Sequence, residues 1–165
     1  MRNQITGLIV LIVSLVLDIL SKAYIVNNWQ YGEKVDYLGG FLQITLVYNR
    51  GGVFGIAQGY KNVFLVISII VLVAIVIYYF YEKNKTKLFT LSMALIVSGA
   101  IGNIIDRVIP GRIGVVDFIS VGFGKYRWPA FNVADSAIVI GAFFLVYTFY
   151  KEEIKKKKTI SGEKK

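Results

Sequence analysis

The sequence predicts a membrane protein with four transmembrane α-helices and a small extramembrane β-sheet. Of its 165 residues, 56% are hydrophobic, and the mean hydropathy is +0.61, whereas soluble domains are about 45–50% apolar. The apolar residues form four long runs, each close to the roughly 20 residues that an α-helix needs to cross a bilayer. Between the first two runs, residues 41–48 are rich in β-branched and aromatic side chains that alternate with polar ones, which indicates a strand.

The first run is predicted to be a retained helix rather than a cleaved leader. It follows Arg2, but no small-residue cleavage site comes after it, and Asp18 and Lys22 interrupt its far end. Because no repeat or linker divides the chain, we predict a single polytopic membrane domain. The domain covers residues 1–165, with spans at about 5–24, 62–81, 88–105 and 131–150 and a basic tail at 151–165.

The distribution of positive charge predicts the orientation. The net charge is +9, and lysines concentrate at residues 83–87 and in the tail. Because such segments remain in the cytoplasm, both termini are predicted to be cytoplasmic, and the strand and the long loop 106–130 then face outward. The tail is predicted to be a solvated cytoplasmic segment, which is compatible with contact with anionic membrane lipids. No basic domain with interleaved aromatic residues accompanies it, so we predict no binding of nucleic acid.

The chain has no cysteine and no histidine. Disulfides, thiolate nucleophiles, histidine bases and Cys/His zinc sites are therefore excluded. Catalysis would have to use carboxylates, lysines, hydroxyl groups or a metal held by oxygen atoms.

Unusual polar residues fall at one predicted depth, at the outward ends of the spans or in the adjoining loops. Ionisable groups within a membrane are costly and by default mark a functional site. Because these residues share one depth, they indicate a single site and not an ion pathway across the membrane. The residues are Asp18, Lys22, Asn49, Asn103, Asp106, Arg107, Asp117, Asn132 and Asp135.

Asp117 and Asp135 are the predicted catalytic pair. Two neighbouring carboxylates resist joint ionisation, so one can act on water as a general base while the other donates a proton to a carbonyl oxygen. Which aspartate has which role is left open, because the pair titrates as a unit. Asp135 alone could instead be a charge at a helix N-terminus. A third possibility is a divalent metal bound by Asp106, Asp117 and Asp135; we predict no metal and no cofactor.

Two sets of residues at helical spacing are predicted to support this pair. Asn103, Asp106 and Arg107 share one helix face. They could simply form ion pairs with one another at the helix end. Alternatively, Arg107 could orient an aspartate or bind a substrate carbonyl. Asp18 and Lys22 lie four residues apart and could neutralise each other, with Lys22 extending toward the interface.

Glycines mark two further features. Asn49 and Gly51 begin a glycine-rich turn, where Asn49 could bind an extended substrate or simply stabilise the turn. Gly99 and Gly102, with Ser98, predict close packing between helices.

Three alternative functions make different predictions. A proton- or ion-coupled transporter would need polar residues at several depths. A structural subunit would tolerate Asp117→Asn and Asp135→Asn. A Ser–Lys peptidase would use Ser21 and Lys22, but adjacent helical residues point in different directions.

Taken in order, these motifs resemble those of the bacterial lipoprotein signal peptidases, the type II signal peptidases. Two departures are Gly52-Val53, where the family usually has two alanines, and Ile19, where a glutamine often follows the aspartate. The resemblance covers most of the chain, and the matching segments are Asp18–Lys22, Asn49–Phe54, Gly99–Arg107, Val116–Phe118 and Phe131–Ser136.

The resemblance implies an aspartic endopeptidase of the bacterial cytoplasmic (inner) membrane. Its substrates would be diacylglyceryl prolipoproteins, cut immediately before the lipidated cysteine, and globomycin-type inhibitors would block it. The fold would carry an outer β-cradle, here residues 41–54, and we expect a monomer. Asp117 and Asp135 would be catalytic, and the substrate-binding or supporting residues would be Asp18, Lys22, Asn49, Gly51, Asn103, Asp106, Arg107 and Asn132.

Overall fold

A computed structural model describes residues 2–51 and 59–160. In these residues four α-helices are long and apolar enough to cross a membrane, as predicted. They are α1 (Arg2–Asn28), α2 (Lys61–Tyr81), α3 (Lys87–Val108) and α4 (Val133–Ile160). The motif residues Gly52–Phe54 and the last five residues of the predicted tail lie outside the described residues.

The fourth helix is longer than its predicted span. It continues past residue 150 as far as Ile160, through most of the basic tail. A tail rich in lysine and glutamate is compatible with helix, because both residues have high helix propensity.

Helix α3 is the centre of the bundle and contacts α1, α2 and α4. Small residues let the helices approach closely, as predicted. A Cβ on Gly99 would collide with the main-chain oxygen of Ala134 in α4, and one on Gly102 would collide with the carboxylate of Asp18 in α1. Ser98 is buried and donates to the hydroxyl of Ser14 at 3.0 Å, which joins α3 to α1.

The described residues also form a four-stranded antiparallel sheet in the order β1-β2-β3-β4. The predicted strand is β2, and the two strands after β2 are in the loop that joins α3 to α4. The strands are β1 (Lys34–Tyr37), β2 (Leu42–Asn49), β3 (Val115–Phe123) and β4 (Tyr126–Arg127).

Strand β3 differs from the prediction, which places Asp117 in the loop 106–130. Its residues pair with β2, where Val47 lies opposite Asp117 after a register shift between Ile44 and Val47. The strand forms because its apolar side chains are buried with those of β2 and α1. This cluster consists of Ile25, Leu46, Val116 and Phe118.

Arg127 fastens the end of the sheet that is remote from Asp117. Its guanidinium donates to main-chain oxygens of Gly40, Phe41, Ser120 and Gly122 at 2.8–3.2 Å. The planar fork of arginine suits such multiple acceptors.

Candidate active site

Asp117 is the third residue of β3, and strand pairing fixes its position. Its side chain is only 3% exposed. Oδ1 accepts a hydrogen bond from Nδ2 of Asn132 at 2.8 Å, and the carboxylate also bonds the side chain of Asn49. A buried carboxylate is thus held by two amides on different elements, as buried polar groups require.

Asp135 lies in the first turn of α4, where local hydrogen bonds hold it. Asn132 precedes the helix, and its Oδ1 accepts from the main-chain N–H of Asp135 at 2.8 Å, while Oδ2 of Asp135 accepts from the main-chain N–H of Asn132 at 3.2 Å. This reciprocal pairing has the form of a capping box. The carboxylate therefore points back over the start of the helix.

Two asparagines connect the aspartates. Nδ2 of Asn132, which bonds Asp117, also reaches Oδ1 of Asn103 at 3.2 Å, and Nδ2 of Asn103 donates to Oδ1 of Asp135 at 2.8 Å. The hydrogen-bond partners of Asn132 and Asn103 determine the orientation of each side-chain amide. Asn103 presents its oxygen to Lys22, which has only donors, so its NH₂ group must face Asp135.

Burial, and after it the charge of Asp135, raise the pKa of the Asp117 carboxyl from 3.8 to about 7. Hydrogen bonds from Asn49 and Asn132 and the charge of Lys22 oppose this shift, because each favours the ionised form. Near neutral pH the Asp117 carboxyl is therefore present in both protonation states.

Lys22 is buried, which rules out the alternative in which its side chain extends toward the interface. Lys22 is 1% exposed, and its Nζ lies 2.7 Å from Oδ2 of Asp18 and 2.9 Å from Oδ2 of Asp106. The predicted pairing of Asp18 with Lys22 is present, but a second carboxylate from α3 completes it. The cation is retained because two anions offset the cost of its burial.

Asp106 has partners outside its own helix. Besides Lys22, it binds the guanidinium of Arg112 through Oδ1 and the main-chain N–H of Val116 through Oδ2. A metal bound jointly by Asp106, Asp117 and Asp135 would have to displace these donors. Among the described residues, no group of three or more Asp, Glu, His or Cys side chains is arranged to hold a metal ion.

Arg107 faces the site without a hydrogen bond to either aspartate in the geometry described. It donates to the main-chain oxygens of Asn103 at 3.1 Å and Gly51 at 3.2 Å. Its charge nevertheless acts on both Asp117 and Asp135. Arg107 therefore tethers the turn at Gly51 to α3 beside the pair.

The hydroxyl of Ser21 does not contact the amine of Lys22 in the way that a Ser–Lys peptidase would need. Ser21 donates to the main-chain oxygen of Asp18 at 3.0 Å. Lys22 is engaged by carboxylates and by Oδ1 of Asn103.

Sequence reasoning missed Arg112. It lies in the loop after α3, six residues beyond its partner Asp106. Helical spacing does not relate them, because a turn around Gly111, whose φ is +80°, reverses the chain. The sequence signal was the Pro110-Gly111 turn followed by a cation.

Four apolar helices and two aspartates that are joined through two asparagines are the arrangement expected of a membrane aspartic peptidase. Comparison with known proteins agrees. Residues 10–151 match the family model described as signal peptidase (SPase) II. The chain therefore belongs to the signal peptidase II family, a family of aspartic peptidases.

Individual relatives give the same result. The chain is 39% identical to a lipoprotein signal peptidase of Halalkalibacterium halodurans, over 91% of this chain and 95% of the relative, and 42% identical to one of Listeria welshimeri, over 81% and 86%. A solved structure titled as a bacterial membrane enzyme superposes with a TM-score of 0.80 at 33% identity, over 92% of this chain and 91% of that chain. The transporter alternative has no support in these matches.

Proposed function

We propose that Asp117 and Asp135 hydrolyse the peptide bond that precedes the diacylglyceryl cysteine of bacterial prolipoproteins. Membership of the signal peptidase II family carries the general activity, which is removal of signal peptides from lipoproteins. The single observation that carries the assignment of the residues is the hydrogen-bonded path Asp117–Asn132–Asn103–Asp135.

The chemistry follows from two coupled carboxylates that share one proton. The ionised aspartate removes a proton from water, and the water oxygen attacks the scissile carbonyl carbon. The protonated aspartate gives its proton to the carbonyl oxygen, which forms a neutral tetrahedral diol. The first aspartate then protonates the leaving nitrogen, and the diol returns its proton to the second aspartate as the C–N bond breaks.

The raised pKa of Asp117 supports this scheme. A pKa of about 7 allows Asp117 to hold the shared proton at neutral pH while Asp135 accepts donors from Asn103 and Asn132. The two groups titrate together, so the shared proton belongs to the pair and not to one aspartate.

We further propose that the aspartate pair lies near the outer face of the bacterial cytoplasmic (inner) membrane, with both termini cytoplasmic. The pair lies where α3 ends and α4 begins, whereas the lysines before α3 and those at the end of α4 belong to the opposite ends of these helices. Lys- and Arg-rich segments remain cytoplasmic. The enzyme would act as a monomeric, single-domain protein in which Asn49, Gly51 and Arg107 line the peptide site.

Lipid-exposed side chains support a membrane-anchored substrate. Helix α2 has no buried residue, and its exposed Val and Ile side chains would face acyl chains. A diacylglyceryl group would hold the substrate in the same layer and present its bond at the polar end of the bundle. Globomycin-type inhibitors would compete for this site.

The test is cleavage of a diacylglyceryl-modified prolipoprotein by the purified chain in lipid, read as a gel shift. Asp117→Asn and Asp135→Asn should each reduce the rate by at least about 10²–10⁴-fold, the usual contribution of a positioned acid or base. Asp36→Asn is the matched control, because Asp36 is exposed on β1. EDTA should leave the rate unchanged, and an unlipidated substrate should not be cut.

Cleavage that survives both substitutions, or that stops with EDTA, would contradict the aspartate pair. Equal cleavage of the unlipidated substrate would contradict the proposed lipid requirement alone.

A further inference from the structure

Two buried carboxylates hold the main chain immediately before each aspartate of the pair. Oδ1 of Asp18 accepts from the main-chain N–H of Ala134 at 2.8 Å, next to Asp135. Oδ2 of Asp106 accepts from the main-chain N–H of Val116 at 3.2 Å, next to Asp117. In both cases the N–H group belongs to the residue immediately before the aspartate.

Lys22 joins these two carboxylates. Its Nζ lies within 2.9 Å of an oxygen of each, and Arg112 binds the other oxygen of Asp106. Two anions and two cations therefore form one continuous ionic chain across α1, α3 and the loop before β3. Asp18, Lys22 and Asp106 are each 1% exposed.

Such a chain is an inefficient way to stabilise a fold. Removing charges from water is costly, and apolar residues of similar volume often stabilise a core as well or better. What apolar residues cannot supply is an acceptor for the N–H groups of Ala134 and Val116. Gly102 leaves the space that the carboxylate of Asp18 occupies.

The same cation reaches the aspartate pair by a second route. Nζ of Lys22 lies 3.2 Å from Oδ1 of Asn103, whose NH₂ group donates to Asp135. Lys22 thus binds the carboxylates of Asp18 and Asp106 and also the side-chain amide of Asn103.

We propose that Asp18 and Asp106 are positioning residues, one for each aspartate of the pair, and that Lys22 sets the spacing between them. The inference rests on the proposed function of Asp117 and Asp135. Displacement of either N–H would move the adjoining aspartate, and a misplacement of about 1 Å can cost about 10²-fold in rate. Because the proposed peptide site at Asn49, Gly51 and Arg107 includes neither Asp18 nor Asp106, KM should be unaffected.

A matched pair of variants tests whether Asp18 acts as a hydrogen-bond acceptor or only as a charge. Asp18→Asn and Asp18→Leu have the same charge and similar size, but only asparagine retains an oxygen for the N–H of Ala134. We expect kcat per folded molecule to be at least about 10-fold higher for Asp18→Asn than for Asp18→Leu, with KM within about twofold of wild type for both. Asp106→Asn and Asp106→Leu should behave in the same way toward Val116.

Equal kcat values within each pair would overturn the proposal, since the carboxylates would then serve only as charges. A rise in KM without a change in kcat would also overturn it.

If a leucine variant does not fold, a pair of uncharged triple variants replaces it. One is Asp18→Asn, Lys22→Met, Asp106→Asn, and the other is Asp18→Leu, Lys22→Met, Asp106→Leu. Neither variant keeps a charge at the three positions, and Arg112, which loses Asp106, has a side chain that is 20% exposed and can be solvated. Both should therefore fold, and the first should have the higher kcat. Failure of either triple variant to fold would show that the ionic chain serves the fold, and would overturn the proposal.

Asp117→Asn is measured beside these variants. If it retains cleavage, the proposed function itself has failed. If it loses cleavage while the asparagine and leucine variants are equal, only the positioning role has failed.

Discussion

Asn132 donates its side-chain amide to Asp117 at 2.8 Å across a separation of 15 residues, and it does so from the position immediately before helix α4. The same side chain accepts from the main-chain N–H of Asp135 at 2.8 Å. Asn132 therefore caps the N-terminus of α4 and also links the two aspartates. The link explains how a carboxylate on a strand and a carboxylate on a helix come to be held together.

The first prediction concerns the pH dependence of cleavage. Activity needs one proton on the aspartate pair, so kcat/KM should fall as pH rises through the Asp117 pKa of about 7. The hydrogen bond from Asn49 favours ionised Asp117 and lowers its pKa. Asn49→Ala should therefore move the descending limb of the pH profile to higher pH.

The measurement is a cleavage profile from pH 5 to about pH 9. Asn28→Ala is the control, because Asn28 is exposed and bonds only the main chain of Tyr24 among the partners described. A shift of the limb to lower pH in Asn49→Ala would contradict the assignment of the limb to Asp117.

The second prediction concerns stability. Asp117 binds its proton more tightly in the folded state, because its pKa is about 7 there and 3.8 in the reference state. Its contribution to the free energy of unfolding is greatest below pH 3.8 and is lost as pH rises toward 7. Asp117→Asn removes this ionisation and should raise the Tm at pH 8 by at least about 2–4 °C, the shift that 1 kcal/mol gives at this size.

Melting in detergent at pH 8 and at pH 4 tests this, and the difference between variant and wild type should shrink at the lower pH. Asp36→Asn, on an exposed strand position, should show no such dependence. A Tm for Asp117→Asn below that of wild type at pH 8 would contradict a buried ionised carboxylate.

The third prediction concerns Arg107. Arg107→Ala should lower kcat/KM by about 10–100-fold, the equivalent of one or two charge-assisted hydrogen bonds, because the turn at Gly51 loses its tether to α3. Arg107→Lys should recover little, since a lysine lacks the fork that reaches two carbonyls.

Cleavage assays with a parallel melting curve separate this effect from unfolding. Arg2→Ala, exposed at the far end of α1, is the matched control. A loss of folded protein that accounts for the whole loss of activity would instead assign Arg107 to packing.

The fourth prediction concerns Gly102. Gly102→Ala places a methyl group against the carboxylate of Asp18 and 3.3 Å from Cβ of Ala134. Overpacking of this kind costs about 1–3 kcal/mol, and the displaced Asp18 should also lower kcat. Val108→Ala, on the exposed side of the same helix, should change neither Tm nor kcat. An unchanged Tm in Gly102→Ala would show that the helices can separate without cost.

The sequence by itself determined the features that depend on local pattern. Four apolar runs of bilayer length gave four helices, because hydropathy and helical hydrogen bonding act within a segment. The same patterns predicted the strand β2, the close approach at Gly99 and Gly102, and the i, i+4 pairing of Asp18 with Lys22.

Only the tertiary structure decided which polar groups meet. Strand β3 exists through its pairing with β2, so no local pattern showed that Asp117 lies on a strand. Lys22 is buried because Asp106 comes from another helix, and Arg112 joins them through a turn. These contacts bring together residues far apart in the chain, and their free energy depends on packing and burial that periodicity along the sequence does not encode.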